Sequence, residues 1–424
     1  MRILIVNTSE TVGGAAVAAN RLVAALNNNG EKAMMLVRDK TSDSITVNEL
    51  PRRGLMRLRF IWERMVIFLN LGLKKNHLWE IDIANAGSDI TKLQAFKDAD
   101  VIHLSWINQG MISLGDIKRI VKSGKPIVWT MHDLWPATAI CHYAGECDKF
   151  VTGCHNCPLL PGGGNKYDLS SVVWKRKKSI YKKSSIYFVT CSRWLEGQAR
   201  KSKLLEGMFL TSIPNPIDTN IFNPQDKEKC KERIGIPTDK KVILFVANKV
   251  TDDRKGAGYL VTALEKLCAD QETLADNCVV ALLGGSASEL AEKIPMPVFP
   301  IGYISGDRNL ALVYNAADVF VLPSLADNLP NTIMEALACG VPCVGFNIGG
   351  IPEMIDHKQN GYVAKKADVD DLAAGLRWVL DEANTEDLSH SAITKVSKHY
   401  SQNSVSMKYI EVYNQALAQK RYLR

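Results

Sequence analysis

Apolar positions along the 424 residues gather into short continuous runs, separated by longer stretches where they recur every three or four positions. Residues 2–6, 34–37, 101–104, 126–131 and 186–190 form such runs with little polar alternation. That is the pattern of strands covered on both faces. Helical stretches lie between them, the clearest being the Ala-rich residues 15–28, closed near Gly30. The pattern then restarts with runs at 242–247, 279–283 and 319–322. Alternation of this kind predicts an α/β protein with two parallel, doubly wound, Rossmann-like sheets. Between the two sets, residues 213–222, IPNPIDTNIF, are rich in Pro and Asn and read as a linker. Two domains are therefore expected, 1–212 and 213–400, followed by a helix over 401–419. Ligands of such sheets collect at the carboxyl ends of the strands, so a crevice between the two domains is the expected binding place.

The most informative segment is 318–361. Its apolar run ends at Pro323, Asn328 and Pro330 open a helix, and Gly340 closes it. A strand end facing a helix N-terminus offers free backbone N–H groups and a positive dipole end to an anion, most often phosphate. Asp327 in the loop and Glu335 in the helix flank that place with carboxylates suited to neutral hydroxyls. Read locally, the same residues are an N-cap Asp and a surface Glu.

This run, DNLPNTIMEALACGVP followed by GGIPE, resembles glycosyltransferase family 4, retaining enzymes of the GT-B fold in which two Rossmann-like domains face each other across a cleft. The family's Glu, seven residues, Glu motif corresponds to Asp327 and Glu335, with the first acid one methylene shorter. The resemblance implies that Glu335 holds the ribose of a nucleotide-sugar donor and Asp327 the hexose, with Asn328, Leu329, Pro330 and Asn331 lining the donor site. It also implies that Lys249 and Lys255, six positions apart in NKVTDDRKGAG, bind the donor diphosphate. Lys249 stands where the family more often has Arg, giving up a bidentate fork, and Arg254 is available to compensate. Gly13 and Gly14 match the family's glycine turn facing the donor, and His132, in T-x-H-D, its contact to the transferred sugar. The last helix of such proteins usually crosses back onto the first domain. No catalytic metal is implied, because fixed cations and a helix dipole neutralise the departing diphosphate. His103, ending the preceding strand, is a weaker candidate of the same kind as His132.

Cys141, Cys147, Cys154 and Cys157 fall in one loop, CHYAGECDKFVTGCHNCP. A structural zinc site, free thiols and disulfides stay open as readings, the spacing before Cys147 being long for a zinc ribbon. A similar Cys-rich insertion occurs in a family 4 subgroup linked to exopolysaccharide and capsule assembly.

Composition then narrows the partners. Residues 1–212 carry 30 Lys and Arg against 18 Asp and Glu, the remainder 22 against 27. The basic excess gathers at Arg52, Arg53, Arg57, Arg59 and Arg64 and at Lys175, Arg176, Lys177, Lys178, Lys182 and Lys183. It suits a glycan acceptor linked to a polyprenyl pyrophosphate, or an anionic membrane. Nucleic acid is disfavoured, since no motif for it is found. The basic amphipathic stretch 51–75 either lies on a membrane surface or packs on the first domain with its Arg side chains snorkelling. The opening MRILIVN is too short for a signal-peptide core, so a cytoplasmic enzyme at the inner face of a membrane is expected. The expected activity is transfer of a hexose from a UDP- or GDP-sugar to a glycan in surface polysaccharide synthesis. Its rivals are a nucleotide-sugar-binding protein with impaired catalysis, favoured only by Asp327, and a nicotinamide-dependent oxidoreductase, opposed by the missing G-x-G-x-x-G after the first strand.

Overall fold

The computed structural model describes residues 1–270 and 274–422. They form two compact units, Met1–Pro216 joined by Val405 onward, and Ile217–Ser404.

The first unit is built on strands β1 (Arg2–Ser9), β2 (Lys32–Asp39), β3 (Val47–Glu49), β4 (Val101–Leu104), β5 (Ile127–Met131), β6 (Ile186–Thr190) and β7 (Phe209–Ser212), in the order β3-β2-β1-β4-β5-β6-β7. Every pairing is parallel. The apolar runs arise because both faces are covered, and successive residues go to opposite sides. Ile3 and Ile5 join one core cluster with Leu22, Val128 and Val189, whereas Leu4 and Val6 join another with Trp129 and Phe188. The helix Gln402–Tyr422 belongs to the first of these clusters through Val405, Tyr409, Val412, Tyr413 and Ala416. The change of unit falls after Pro216, a correction to the boundary expected at residue 212. The cause is Ile213, which is buried in the first unit's core and donates its N–H to the Thr190 carbonyl at 2.9 Å.

The second unit carries β8 (Lys241–Lys249), β9 (Cys278–Gly285), β10 (Val298–Gly302), β11 (Val319–Leu322), β12 (Cys343–Phe346) and β13 (Gly361–Ala364), ordered β10-β9-β8-β11-β12-β13 and again wholly parallel. In each sheet the order reverses beside the first strand, between β1 and β4 and between β8 and β11. The connections leave toward opposite faces there, and the carboxyl ends of the two strands open a crevice within that unit.

Candidate active site

At the β8/β11 switch point the chain is drawn unusually close to itself. β8 ends in Lys249 and leads through a single 3-10 turn, Asp253–Lys255, into the helix Ala257–Asp270. Gly256 closes that turn at φ +75°, and a Cβ there would stand 1.8 Å from the Pro323 carbonyl oxygen at the end of β11. Across the loop, Gly349 at φ +53° makes the same approach to the Asp327 carbonyl oxygen, again 1.8 Å from where its Cβ would be. Only glycine combines that conformation with that contact. Two backbone bonds complete the clamp: Leu325 N–H to the Arg254 carbonyl at 2.8 Å and Gly350 N–H to the Asn328 carbonyl at 2.7 Å.

The clamped loop brings two of the expected residues together. Lys255 Nζ donates to Asp327 Oδ2 at 2.7 Å, and Ser324 Oγ donates to the same oxygen at 3.2 Å. The pair is half-buried, with side-chain exposures of 24% and 15%, so both charges stay reachable by a ligand. The helix begins at Asn331 with Pro330 at its cap, while Asn328 stays in the loop, a correction to its expected part in opening the helix. Asn328, Leu329 and Pro330 are buried and Asn331 is half-buried. Glu335 is buried inside the helix and accepts a hydrogen bond from Tyr314 Oη at 2.8 Å. The local reading of Glu335 as a surface residue is thereby excluded. Lys249 is exposed at the strand end. Arg254 is exposed and directs a guanidinium nitrogen to Asp252 at 3.0 Å, within its own turn.

In the first unit the corresponding strand ends hold two histidines, His103 buried and His132 half-buried. His132 follows β5; its Nε2 lies 3.0 Å from Ser105 Oγ and its Nδ1 3.7 Å from Cys191 Sγ. Burial pushes its pKa down to about 4, with Asp133 opposing the shift, so the ring is neutral at physiological pH. His103 is lowered to about 3 by burial and by His132. It is buried, and both ring nitrogens are occupied, with Nδ1 2.6 Å from Tyr413 Oη and Nε2 2.7 Å from Thr130 Oγ1. Gly13 caps the helix Gly14–Asn28 at φ +92°, and both glycines are exposed.

A buried polar network beside His132 had no sequence signal. Asp133 accepts from Trp106 Nε1 at 3.0 Å and lies 2.7 Å from His142 Nδ1, while His142 Nε2 lies 2.7 Å from Asp82, which also pairs with Arg64. Burial alone would raise the Asp133 carboxyl; the contacts with His142 and the hydrogen bonds from the Trp135 N–H and Trp106 together outweigh it and hold the group below its usual range. Asp82 and His142 are 60 positions apart, so no local spacing could reveal the contact. Arg64 and Lys177 also correct the expected surface charge. Both are buried, and Lys177 donates to the Trp135 and Thr138 carbonyls at 2.5 and 3.1 Å with its Nζ 3.3 Å from the centre of the Trp135 ring.

The four loop cysteines line one cavity with Ala139, Ile140 and Phe150. All are free thiols, and no group of His, Cys, Asp or Glu able to hold a metal ion occurs among the described residues. Of the three readings left open for Cys141, Cys147, Cys154 and Cys157, the structure shows free thiols and no disulfide. Burial pushes Cys141 up to about 11 and Cys154 up to about 12, favouring the protonated thiols.

Residues 226–398 match the family model described as glycosyl transferases group 1. Over 226 residues, half of this chain, the sequence is 28% identical to D-inositol 3-phosphate glycosyltransferase 2 of Catenulispora acidiphila, covering 52% of that protein. The chain spans about half the length of the curated relatives it matches. Among solved structures, sucrose-phosphate synthase of Thermosynechococcus elongatus superposes with a TM-score of 0.67 over 99% of this chain and 100% of that one, at 17% identity. HepE of Anabaena, solved in complex with UDP, gives 0.61 over 98% and 100% at 14% identity. These likenesses show the fold, two Rossmann-like parallel-sheet domains of the GT-B type.

Proposed function

We propose that this chain is a retaining glycosyltransferase that moves a hexose from a UDP- or GDP-sugar to a glycan acceptor, linked to a polyprenyl pyrophosphate, in surface polysaccharide synthesis. The observation that carries the reading is the Lys255–Asp327 pair at the β8/β11 switch point, held by glycine-dependent turns within a segment that matches the group 1 model. A donor diphosphate takes over Lys255 from Asp327, and the freed carboxylate accepts hydroxyls of the hexose. Lys249 adds a second, exposed cation, with Arg254 beside it. Glu335, oriented by Tyr314, accepts from the ribose hydroxyls.

As the bond from the anomeric carbon to the diphosphate breaks, negative charge grows on the leaving oxygen. Lys255 and Lys249 stabilise it more than they stabilise the bound donor, which is the condition for accelerating the step. A same-face displacement lets the leaving phosphate take the acceptor's proton, so no side chain is needed as nucleophile. His132, neutral through burial, contributes hydrogen bonding to the transferred sugar without adding charge. HepE, solved with UDP and with UDP-glucose, supports a nucleotide-sugar donor.

The test is a screen of UDP- and GDP-sugars with purified protein, reading binding by calorimetry and slow donor hydrolysis without acceptor. One donor should bind and turn over. Binding with no hydrolysis and no transfer would favour the catalytically impaired rival, and binding of NADH with no nucleotide sugar would sink the reading.

A further inference from the structure

The helix Arg53–Asn70 has two opposite faces, and only one is used by the fold. Met56, Glu63, Arg64 and Ile67 are buried on the inner side. Glu63 accepts from the Ile83 and Ala84 N–H groups at 3.1 and 2.6 Å, and Gly110 packs so close that a Cβ would stand 2.7 Å from the Phe60 nitrogen. These contacts fix the helix and its rotation. The opposite side carries Leu55, Leu58, Ile61, Trp62, Met65 and Leu69, all of them exposed. Leu58 is 64% exposed, Ile61 49%, Trp62 51% and Leu69 58%. At about 100° per residue the six fall within a stripe roughly 120° wide, centred opposite the buried face. An apolar stripe of this kind, four turns long and turned to solvent, marks an interaction surface.

Its charge selects the partner. The only acid on this helix is Glu63, and it is buried. Arg57 is exposed at the edge of the stripe, Arg52 and Arg53 at its start, and Lys74 and Lys75 just past its end, although Arg53 is paired with Glu49. Apolar residues including Trp, bordered by cations with no exposed acid on the helix, match the interface of a bilayer containing anionic lipid. No helix among the described residues is long and apolar enough to cross a membrane, so the attachment is made from one side. We infer that the exposed face of Arg53–Asn70 is a membrane-docking surface, inserted at headgroup level into an anionic bilayer and steered there by Arg52, Arg57, Lys74 and Lys75.

The inference does not depend on donor chemistry. Co-sedimentation of the whole protein with phosphatidylcholine vesicles, with and without phosphatidylglycerol, measures it in the absence of nucleotide sugar. Anionic vesicles should bind about tenfold or more tightly than neutral ones, and binding should weaken with salt. Leu58→Gln, Trp62→Gln and Met65→Gln together should lower binding at every salt concentration. Arg57→Gln, Lys74→Gln and Lys75→Gln should remove only the salt-sensitive part. Donor binding by each variant, measured without vesicles, should match the wild type and reports separately on the proposed activity. Equal binding of wild type and apolar variant, or no preference for anionic lipid, would overturn the inference. So would sedimentation velocity showing a wild-type dimer that the apolar substitutions convert to monomer, because the stripe would then be covered by a second copy.

Discussion

The two sheets share one strand order and treat charge in opposite ways at their switch points. In the first unit, ionisable groups around the strand ends are buried and occupied with one another: His103 with Tyr413 and Thr130, and Asp82 and Asp133 with His142. In the second, Lys249 is exposed and Lys255 is half-buried against a single carboxylate that a ligand can replace. Net charge points the other way, since residues 1–212 are basic and the remainder mildly acidic. What decides function is therefore not how many cations a domain owns but which of them are left exchangeable.

The contrast is tested hardest at Lys255. Lys255→Ala should lower turnover by about 10²–10³ while donor affinity changes less, as for removal of one group stabilising a developing oxyanion. Wild-type turnover in the variant would place the exchangeable charge elsewhere. Next, Glu335→Gln should weaken donor binding about 10–100-fold in calorimetry, the loss expected for charged hydrogen bonds of about 1.5–3 kcal/mol. Unchanged affinity with an intact fold would remove Glu335 from the site.

A third prediction concerns His132 in the first unit. The His132 pKa of about 4 lies below its ordinary 6.5, so between those values the unfolded chain binds the proton and the folded one does not. Stability is thus complete above pH 6.5 and is lost as pH falls toward 4, by at most about 1.4 kcal/mol per pH unit for each such histidine. His132→Gln should flatten the dependence of urea midpoints on pH over that window, and an unaltered slope would mean that the ring is solvated. The smallest effect is expected from EDTA. Activity should survive it because fixed cations serve the diphosphate, and loss restored specifically by Mg²⁺ or Mn²⁺ would break the comparison at its centre.

Much of the second unit's site was legible because it is local. The clamped loop and its helix lie in one continuous segment, where strand end, Asp327 and Glu335 follow each other at fixed spacing. The turn carrying Lys255 is also placed by the strand just before it. Strands β3, β7, β10 and β13 were not foreseen, being three to five residues long and lacking a wholly buried apolar run. Arg64 and Lys177 were misread as surface charge because a polar letter carries no sign of a buried partner. Arg64 reaches Asp82 and the Leu78 and Ile81 carbonyls, and Lys177 reaches carbonyls about 40 positions earlier in the chain.

The helix Gln402–Tyr422 has a consequence for how the chain is made. Tyr409 and Tyr413 bond Thr130 and His103, so part of the first unit's core is supplied by residues that follow the entire second unit. During synthesis at about 5–20 residues per second, roughly ten seconds or more separate the emergence of residue 216 from that of residue 405. Throughout that interval the nascent first sheet presents an apolar face that only a later helix can cover. The second unit, continuous in sequence, has all of its residues in hand before the last helix of the first unit exists.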